Sequence, residues 1–175
     1  MIEIQIRRHS IQGNSKHLSN AGIKLAKLQN ENPFDLVVTS PIQRAMETAI
    51  ALGSAITETN EILGFLPENV QTITPYSAGF KAFRNSLETC SEVAQCHKKY
   101  ELFIRACIFG MKSDSRALFI SHAGTVEMLV LACLPNIDLD LFPHSVSQLE
   151  GASIFFDGSQ FRLNTVLKVN SNTIF

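Results

Sequence analysis

The chain has 175 residues, 45% of them hydrophobic and 18% charged. That length implies one domain over residues 1–175, with apolar material for a sizeable core and too little charge for a disordered chain. Lys plus Arg total 15 and Asp plus Glu total 16, a formal net charge of −1 with a pI near 6.5. Such a balance gives no global attraction to nucleic acid or an anionic membrane. The lack of Trp and the presence of only two Tyr disfavour an RNA binder that works by stacking.

The first residues alternate Ile2, Ile4 and Ile6 with Glu3, Gln5 and Arg7, a period of two that predicts a strand. After a loop through Gly13, Asn14 and Ser15, Ser19 stands before Ala21, Ile23, Leu25, Ala26 and Leu28. This spacing predicts a helix with Ser19 as its N-cap. Residues 36–39 read as a short apolar strand. Ser40-Pro41 then opens a second helix, with Thr39 or Ser40 at the cap, Pro41 near its first position and Gly53 closing it. A further strand is expected near residues 55–62, followed by a poorly patterned stretch to Gly79. Residues 80–111 read as one or two helices, 118–120 as the third clear strand, and 124–134 as a helix stopped by Pro135. Residues 154–156 and 161–169 flank Asp157-Gly158-Ser159-Gln160, a hairpin signal.

Strands alternating with helices predict an α/β fold, a three-layer α/β/α sandwich on a mostly parallel sheet, with the closing hairpin as an antiparallel edge. The first strand conflicts with a fully buried central position, since Glu3 and Gln5 are polar. Either its end is partly uncovered or these side chains are paired.

The four cysteines, Cys90, Cys96, Cys107 and Cys133, form no C-x-x-C pair and read as buried reduced thiols rather than a zinc site. The N-terminus lacks a basic region followed by an apolar core, and no apolar run approaches the ~20 residues of a membrane span. A cytoplasmic location is expected.

In a parallel sheet, ligands bind beyond the carboxyl ends of the strands. Three of those ends carry convergent polar groups: Arg8-His9-Ser10, then Thr39-Ser40-Pro41 with Arg44 just inside the helix, then Ser121-His122-Ala123-Gly124. Two histidines and two arginines at one sheet end fit phosphoryl transfer. A neutral imidazole is a competent nucleophile near pH 7. An arginine fork matches phosphate oxygens. Backbone N–H groups at Ala123 and Gly124 add donors at a helix start. This set calls for no metal and no cofactor. Arg7, which alternates away from Arg8, reads as structural, and so do His17, His97 and His144, with His144 the nearest of the three to a pocket role.

The sequence resembles the histidine phosphatase (phosphoglycerate mutase-like) superfamily. Ile6-Arg7-Arg8-His9-Ser10 is similar to its L-V-R-H-G motif, and Leu18-Ser19-Asn20-Ala21-Gly22 to L-S-x-x-G. The run from Val38 to Ala49 is similar to S-S-P-x-x-R-A-x-x-T-A, and Ile120-Ser121-His122-Ala123-Gly124 to V-S-H-G-G. The motifs keep the family's order and cover nearly the whole chain. The resemblance implies that His9 becomes phosphohistidine, that Arg8 and Arg44 clamp the phosphoryl group, and that His122 completes the pocket. It places Asn14 and Ser15 where the family's phosphate loop runs.

The sequence departs from the pattern at Ser10 and Ala123, where the family has Gly. Ala123 also excludes the branch that places Asp directly after the second histidine, so the chain falls with branch 1. That branch carries a glutamate proton donor in an E-x-x-x-G pattern. Here Glu61 is followed by Gly one place too early, and Glu68 has no following Gly. Glu61, Glu68 and no carboxylate donor at all stay open as alternatives. A missing donor favours good leaving groups such as phosphohistidine, as in the small bacterial members resembling phosphohistidine phosphatases. The expected function is a metal-independent phosphatase acting on a phosphorylated small molecule or a phosphohistidine protein. The alternatives are a mutase, for which the chain has little material to build a lid, and a non-catalytic phospholigand-binding module. Residues 61–84 are expected to cover the site and choose the substrate.

Overall fold

The structure is a computed structural model that describes residues 1–31 and 33–169. Its six strands are β1 (Ile2–Arg8), β2 (Leu36–Thr39), β3 (Glu58–Thr59), β4 (Arg116–Ser121), β5 (Gly151–Phe156) and β6 (Phe161–Leu167). They form one sheet in the order β3-β2-β4-β1-β5-β6. β1 pairs in parallel with β4, β4 with β2, and β2 with β3, while β5 runs antiparallel to both β1 and β6. The helices are α1 (Asn20–Leu28), α2 (Gln43–Ala51), α3 (Glu68–Ile73), α4 (Gly79–Thr89), α5 (Ser91–Ile108) and α6 (Thr125–Cys133).

Alternation along β4 assigns the two faces of the sheet. Ala117 and Phe119 join Ile2, Ile4 and Ile6 in the core that α4, α5 and α6 cover. Leu118 and Ile120 join Val37 in the smaller core under Leu25 and Ala26 of α1 and Ala45 and Ala49 of α2. The expected three-layer α/β/α arrangement with its antiparallel closing hairpin is therefore what forms.

Ser19 caps α1 as expected, its hydroxyl accepting from Gly22 N at 3.0 Å. The start of α2 differs. Ile42, whose side chain has no acceptor, is its N-cap, and Pro41 lies before the helix rather than in its first turn, while the Ser40 hydroxyl accepts from Ile42 N at 3.2 Å in the turn. The strand expected over residues 55–62 shrinks to Glu58–Thr59, an exposed sheet edge. The helical stretch of 80–111 divides into α4 and α5 at Cys90, whose backbone is extended. The stretch read as unpatterned contains α3. Among the cysteines, Cys96 and Cys133 are buried, whereas Cys90 and Cys107 are only half-buried.

The polar face of β1 is paired rather than uncovered. Gln5 and Arg7 are 2% and 3% exposed. Arg7 Nε donates to Gln5 Oε1 at 2.9 Å, and its guanidinium also bonds Glu31 and the Leu149 carbonyl. Gln5 Nε2 donates to Glu3 and Glu31, and Arg116 bridges the same two carboxylates. The network lies on the α1/α2 side, opposite the three isoleucines. Every member has partners, which is the condition for a polar group to be tolerated in a core.

Candidate active site

The sheet register brings the two histidines together. β1 and β4 run in parallel with Arg8 opposite Ser121, so the next residues on each strand, His9 and His122, emerge side by side. Their ring centroids are 5.0 Å apart. Thr39 of β2 lies opposite Ile120 of β4, which places Ser40 beside the same end and sends α2 away with Arg44 in its first turn.

Arg44 links the two imidazoles. Its Nε donates to His9 Nε2 at 3.0 Å and its Nη2 to His122 Nδ1 at 3.2 Å. A guanidinium only donates, so both of these ring nitrogens are acceptors and each ring carries its proton on the other nitrogen. His9 Nδ1 then donates to the Ser10 carbonyl at 2.7 Å, and His122 Nε2 to the Ser40 hydroxyl at 2.9 Å. The lone pair of His9 therefore resides on Nε2, on the Arg44 side of the ring.

Burial, reinforced by Arg44 and Arg8, lowers the His9 pKa to about 4. Burial, with His9 and the same arginines, lowers His122 to about 3. Both rings are thus neutral at physiological pH, the form a nucleophile requires. Neutral buried histidines also tie stability to pH. The unfolded chain takes up these protons near the ordinary value of 6.5 while the folded chain does not, so their contribution is full above about pH 6.5. It is lost as the pH falls toward 4. An NMR titration of the His9 ring should give a midpoint near pH 4, and a midpoint near 6.5 would show the ring to be solvated instead.

Arg8 approaches from β1. Its Nη1 donates to the Val146 carbonyl at 2.8 Å, and its buried Nε has no hydrogen-bond partner among the described residues. Burial lowers the Arg8 pKa, opposed chiefly by Glu127. Glu127, fully buried on α6, accepts from Gly124 N, the Ser145 hydroxyl and Val146 N at 2.7–3.0 Å. It therefore ties the start of α6 to the loop whose carbonyl holds Arg8. The unmatched Nε–H is a donor that an anionic ligand would satisfy.

The departure at Ser10 fits locally, and Ala123 is buried where it borders the cleft. The Ser10 hydroxyl, fully buried, donates to the Gly22 carbonyl at 2.8 Å. Gly22 must be glycine, since a Cβ there would lie 2.2 Å from the Ile11 carbonyl oxygen. Gly124 has φ +81, and a Cβ on it would meet the Tyr76 backbone at 3.1 Å. This notch lets the segment around Tyr76 sit directly on the second histidine motif.

A cleft of about 510 Å³ opens over Arg8, His9, Arg44, His122 and Ala123. Its other walls are Ile11, Gln12, Phe65, Gln71, Tyr76 and Gln148. The structure does not bring the remaining candidates into it. Glu61 and Glu68 are exposed and line no part of the cleft. Asn14 and Ser15 are exposed on the loop beyond Gln12, where the Ser15 carbonyl accepts from Gln12 Nε2. The Gly124 N–H is taken by Glu127. His144 lines a separate cavity beside Pro143 and Val166, and His17 is an exposed partner of Glu47.

Phe65, Gln71 and Tyr76 fall within residues 61–84, the stretch expected to cover the site, but no pattern marked them individually. Phe65 is carried there by bonds from β4 and α6, since the Ser121 hydroxyl donates to the Leu63 carbonyl and the Thr125 hydroxyl to the Gly64 carbonyl. Gln12, Gln148 and the supporting Glu127 carried no sequence signal either, apart from the place of Glu127 three residues into its helix. Among the described residues, no group of three or more His, Cys, Asp or Glu side chains is placed to hold a metal ion, and no helix is long and apolar enough to cross a membrane.

No protein-family profile and no curated protein sequence matches the chain. Solved structures do. Phosphoserine phosphatase from Entamoeba histolytica, in complex with 3-phosphoglyceric acid, matches with a TM-score of 0.68 at 16% identity over 100% of both chains. A mutant of the Entamoeba histolytica phosphoserine phosphatase, in complex with phosphoserine, matches with a TM-score of 0.63 at 15% identity over 95% of this chain and 96% of the other. Mycobacterial glucosyl-3-phosphoglycerate phosphatase, complexed with VO3, matches with a TM-score of 0.58 at 17% identity over 93% of this chain and 96% of the other. The chain therefore shares the fold of these phosphatases over nearly its whole length, in agreement with the fold that the motif resemblance implies.

Proposed function

We propose that this chain is a phosphatase that hydrolyses a phosphomonoester or phosphohistidine through a phosphohistidine intermediate on His9. The observation that carries this reading is the Arg44 guanidinium bridging two neutral buried imidazoles, with Arg8 beside them at the same sheet end. His9 Nε2 attacks phosphorus as the bond to the leaving group breaks, and the departing atom keeps the electron pair. Arg8 and Arg44 balance the charge that spreads over the phosphoryl oxygens, and the neutral His122 ring completes the pocket. Water then attacks phosphorus, the P–N bond breaks, and inorganic phosphate leaves with the lone pair restored to Nε2. The substrate is a phosphorylated small molecule or a phosphohistidine protein. The phosphatases among the structural neighbours support the same class of reaction.

No carboxylic acid lines the cleft among the described residues. The leaving atom then takes its proton from water, which favours leaving groups of low basicity. The same feature favours a second reading, a phospholigand-binding module without turnover. Hydrolysis of para-nitrophenyl phosphate in excess chelator separates the two, and steady turnover is the expected result. Loss of activity in chelator would point to a metal, and no turnover at all would favour the binding module. Arg44→Ala should weaken vanadate binding roughly 100-fold, because a buried charged fork is removed from the anion. Unchanged affinity would take Arg44 out of the clamp.

A further inference from the structure

We propose that the group this cleft accepts beyond the phosphoryl position is planar and uncharged, an aromatic or heteroaromatic ring seated against Phe65 and Tyr76. This rests on the phosphatase reading and names the substrate class it leaves open.

Arg8, His9, Arg44 and His122 are the groups that grip a phosphoryl unit. The walls that remain carry no charged side chain among the described residues. A carboxylate on the substrate would meet no counter-charge on those walls, so they offer it nothing that water does not. What the walls offer instead is aromatic. Phe65 is 60% exposed and Tyr76 57% exposed, although both line the site. The Phe65 ring lies 4.8 Å from the His122 ring and 5.4 Å from Arg44 Cζ, measured to its centroid. Its surface therefore borders the point where a phosphoryl group would carry its substituent.

The polar walls fit the same class. Gln71 Nε2 donates to the Leu66 carbonyl at 2.6 Å and Gln12 Nε2 to the Ser15 carbonyl at 3.1 Å. Both amides are thereby held, and each keeps its carbonyl oxygen as an acceptor for an N–H or O–H on a ring. The lack of a carboxylic acid in the cleft agrees, since aryl oxygens and heteroaromatic nitrogens are weaker bases than alkoxides and leave with less need of a proton.

Two phosphonates that cannot be hydrolysed test this by titration calorimetry: benzylphosphonate, which carries a ring, and 3-phosphonopropanoate, which carries a carboxylate. Wild type should bind the ring-bearing ligand about tenfold more tightly. Phe65→Ala should bring the ratio of the two dissociation constants close to one, and Phe65→Tyr should preserve it. Phe65 is mostly exposed, so both variants should fold. Equal or tighter binding of 3-phosphonopropanoate, a ratio that survives in Phe65→Ala, or binding of neither ligand would overturn the proposal. The phosphatase reading is judged by turnover rather than by this ratio, so either can fail alone.

Discussion

His9→Ala should lower the turnover of para-nitrophenyl phosphate by about four orders of magnitude or more, while the melting temperature and the circular dichroism spectrum stay near wild type. The size follows from the role. If Nε2 forms the bond to phosphorus, nothing else in the cleft replaces it, and removal of a nucleophile leaves only the part of catalysis supplied by binding and charge. The ring is held by two hydrogen bonds, one to a backbone carbonyl and one from Arg44. Neither crosses the two main cores, so the fold survives the change. The neutral state of the buried ring means that wild-type turnover should persist well below pH 6.5, as far as substrate protonation allows. A His9→Ala variant that keeps a tenth of the activity would remove His9 as the nucleophile and leave a phosphatase that works through another group.

The second large effect is on stability, two residues earlier in the chain. Arg7→Ala should destabilise the fold by about 3 kcal/mol, since it leaves the buried Gln5 Oε1 and the Leu149 carbonyl without their donor, removes one of the two arginines that hold Glu31, and opens a cavity beside β1. For a chain of this size that is a fall of roughly 6–12 °C in Tm. The figure sits at the low end for a broken buried pair because Glu31 is partly exposed and can regain water. The site should keep its affinity for vanadate, because Arg7 lies on the α1/α2 side of the sheet and lines no part of the cleft. A chemical denaturation series with a vanadate titration alongside reads both. Loss of vanadate binding in a folded Arg7→Ala chain would show that the two adjacent arginines share one role.

These residues show where sequence reasoning carries and where it stops. Period-two alternation along 1–8 is enough to separate Arg7 from Arg8, because successive strand side chains face opposite sides. Alternation also marks the polar face of β1 as a conflict. It could not resolve that conflict, because the partners Glu31, Arg116 and Ser153 come from distant parts of the chain. Helix caps were legible where the capping bond is local, as at Ser19. They failed at Ser40, whose hydroxyl is shared between the turn and His122, 82 residues away.

By itself the sequence determined the order of strands and helices apart from α3, the three strand ends that carry His9, Arg44 and His122, and the pairing of Arg8 with that set. Each of these is written in local spacing, since a side chain that follows a parallel strand must emerge at its carboxyl end. Only the tertiary structure decided what surrounds the two histidines. It left Glu61, Glu68, Asn14 and Ser15 outside the cleft and brought in Phe65, Gln71, Tyr76 and Gln148. The reason is that irregular segments go where distant bonds hold them. Ser121 and Thr125 pull residues 63–64 across the site, and the space beside Gly124 admits the backbone of Tyr76. No local pattern in residues 61–84 encodes those contacts.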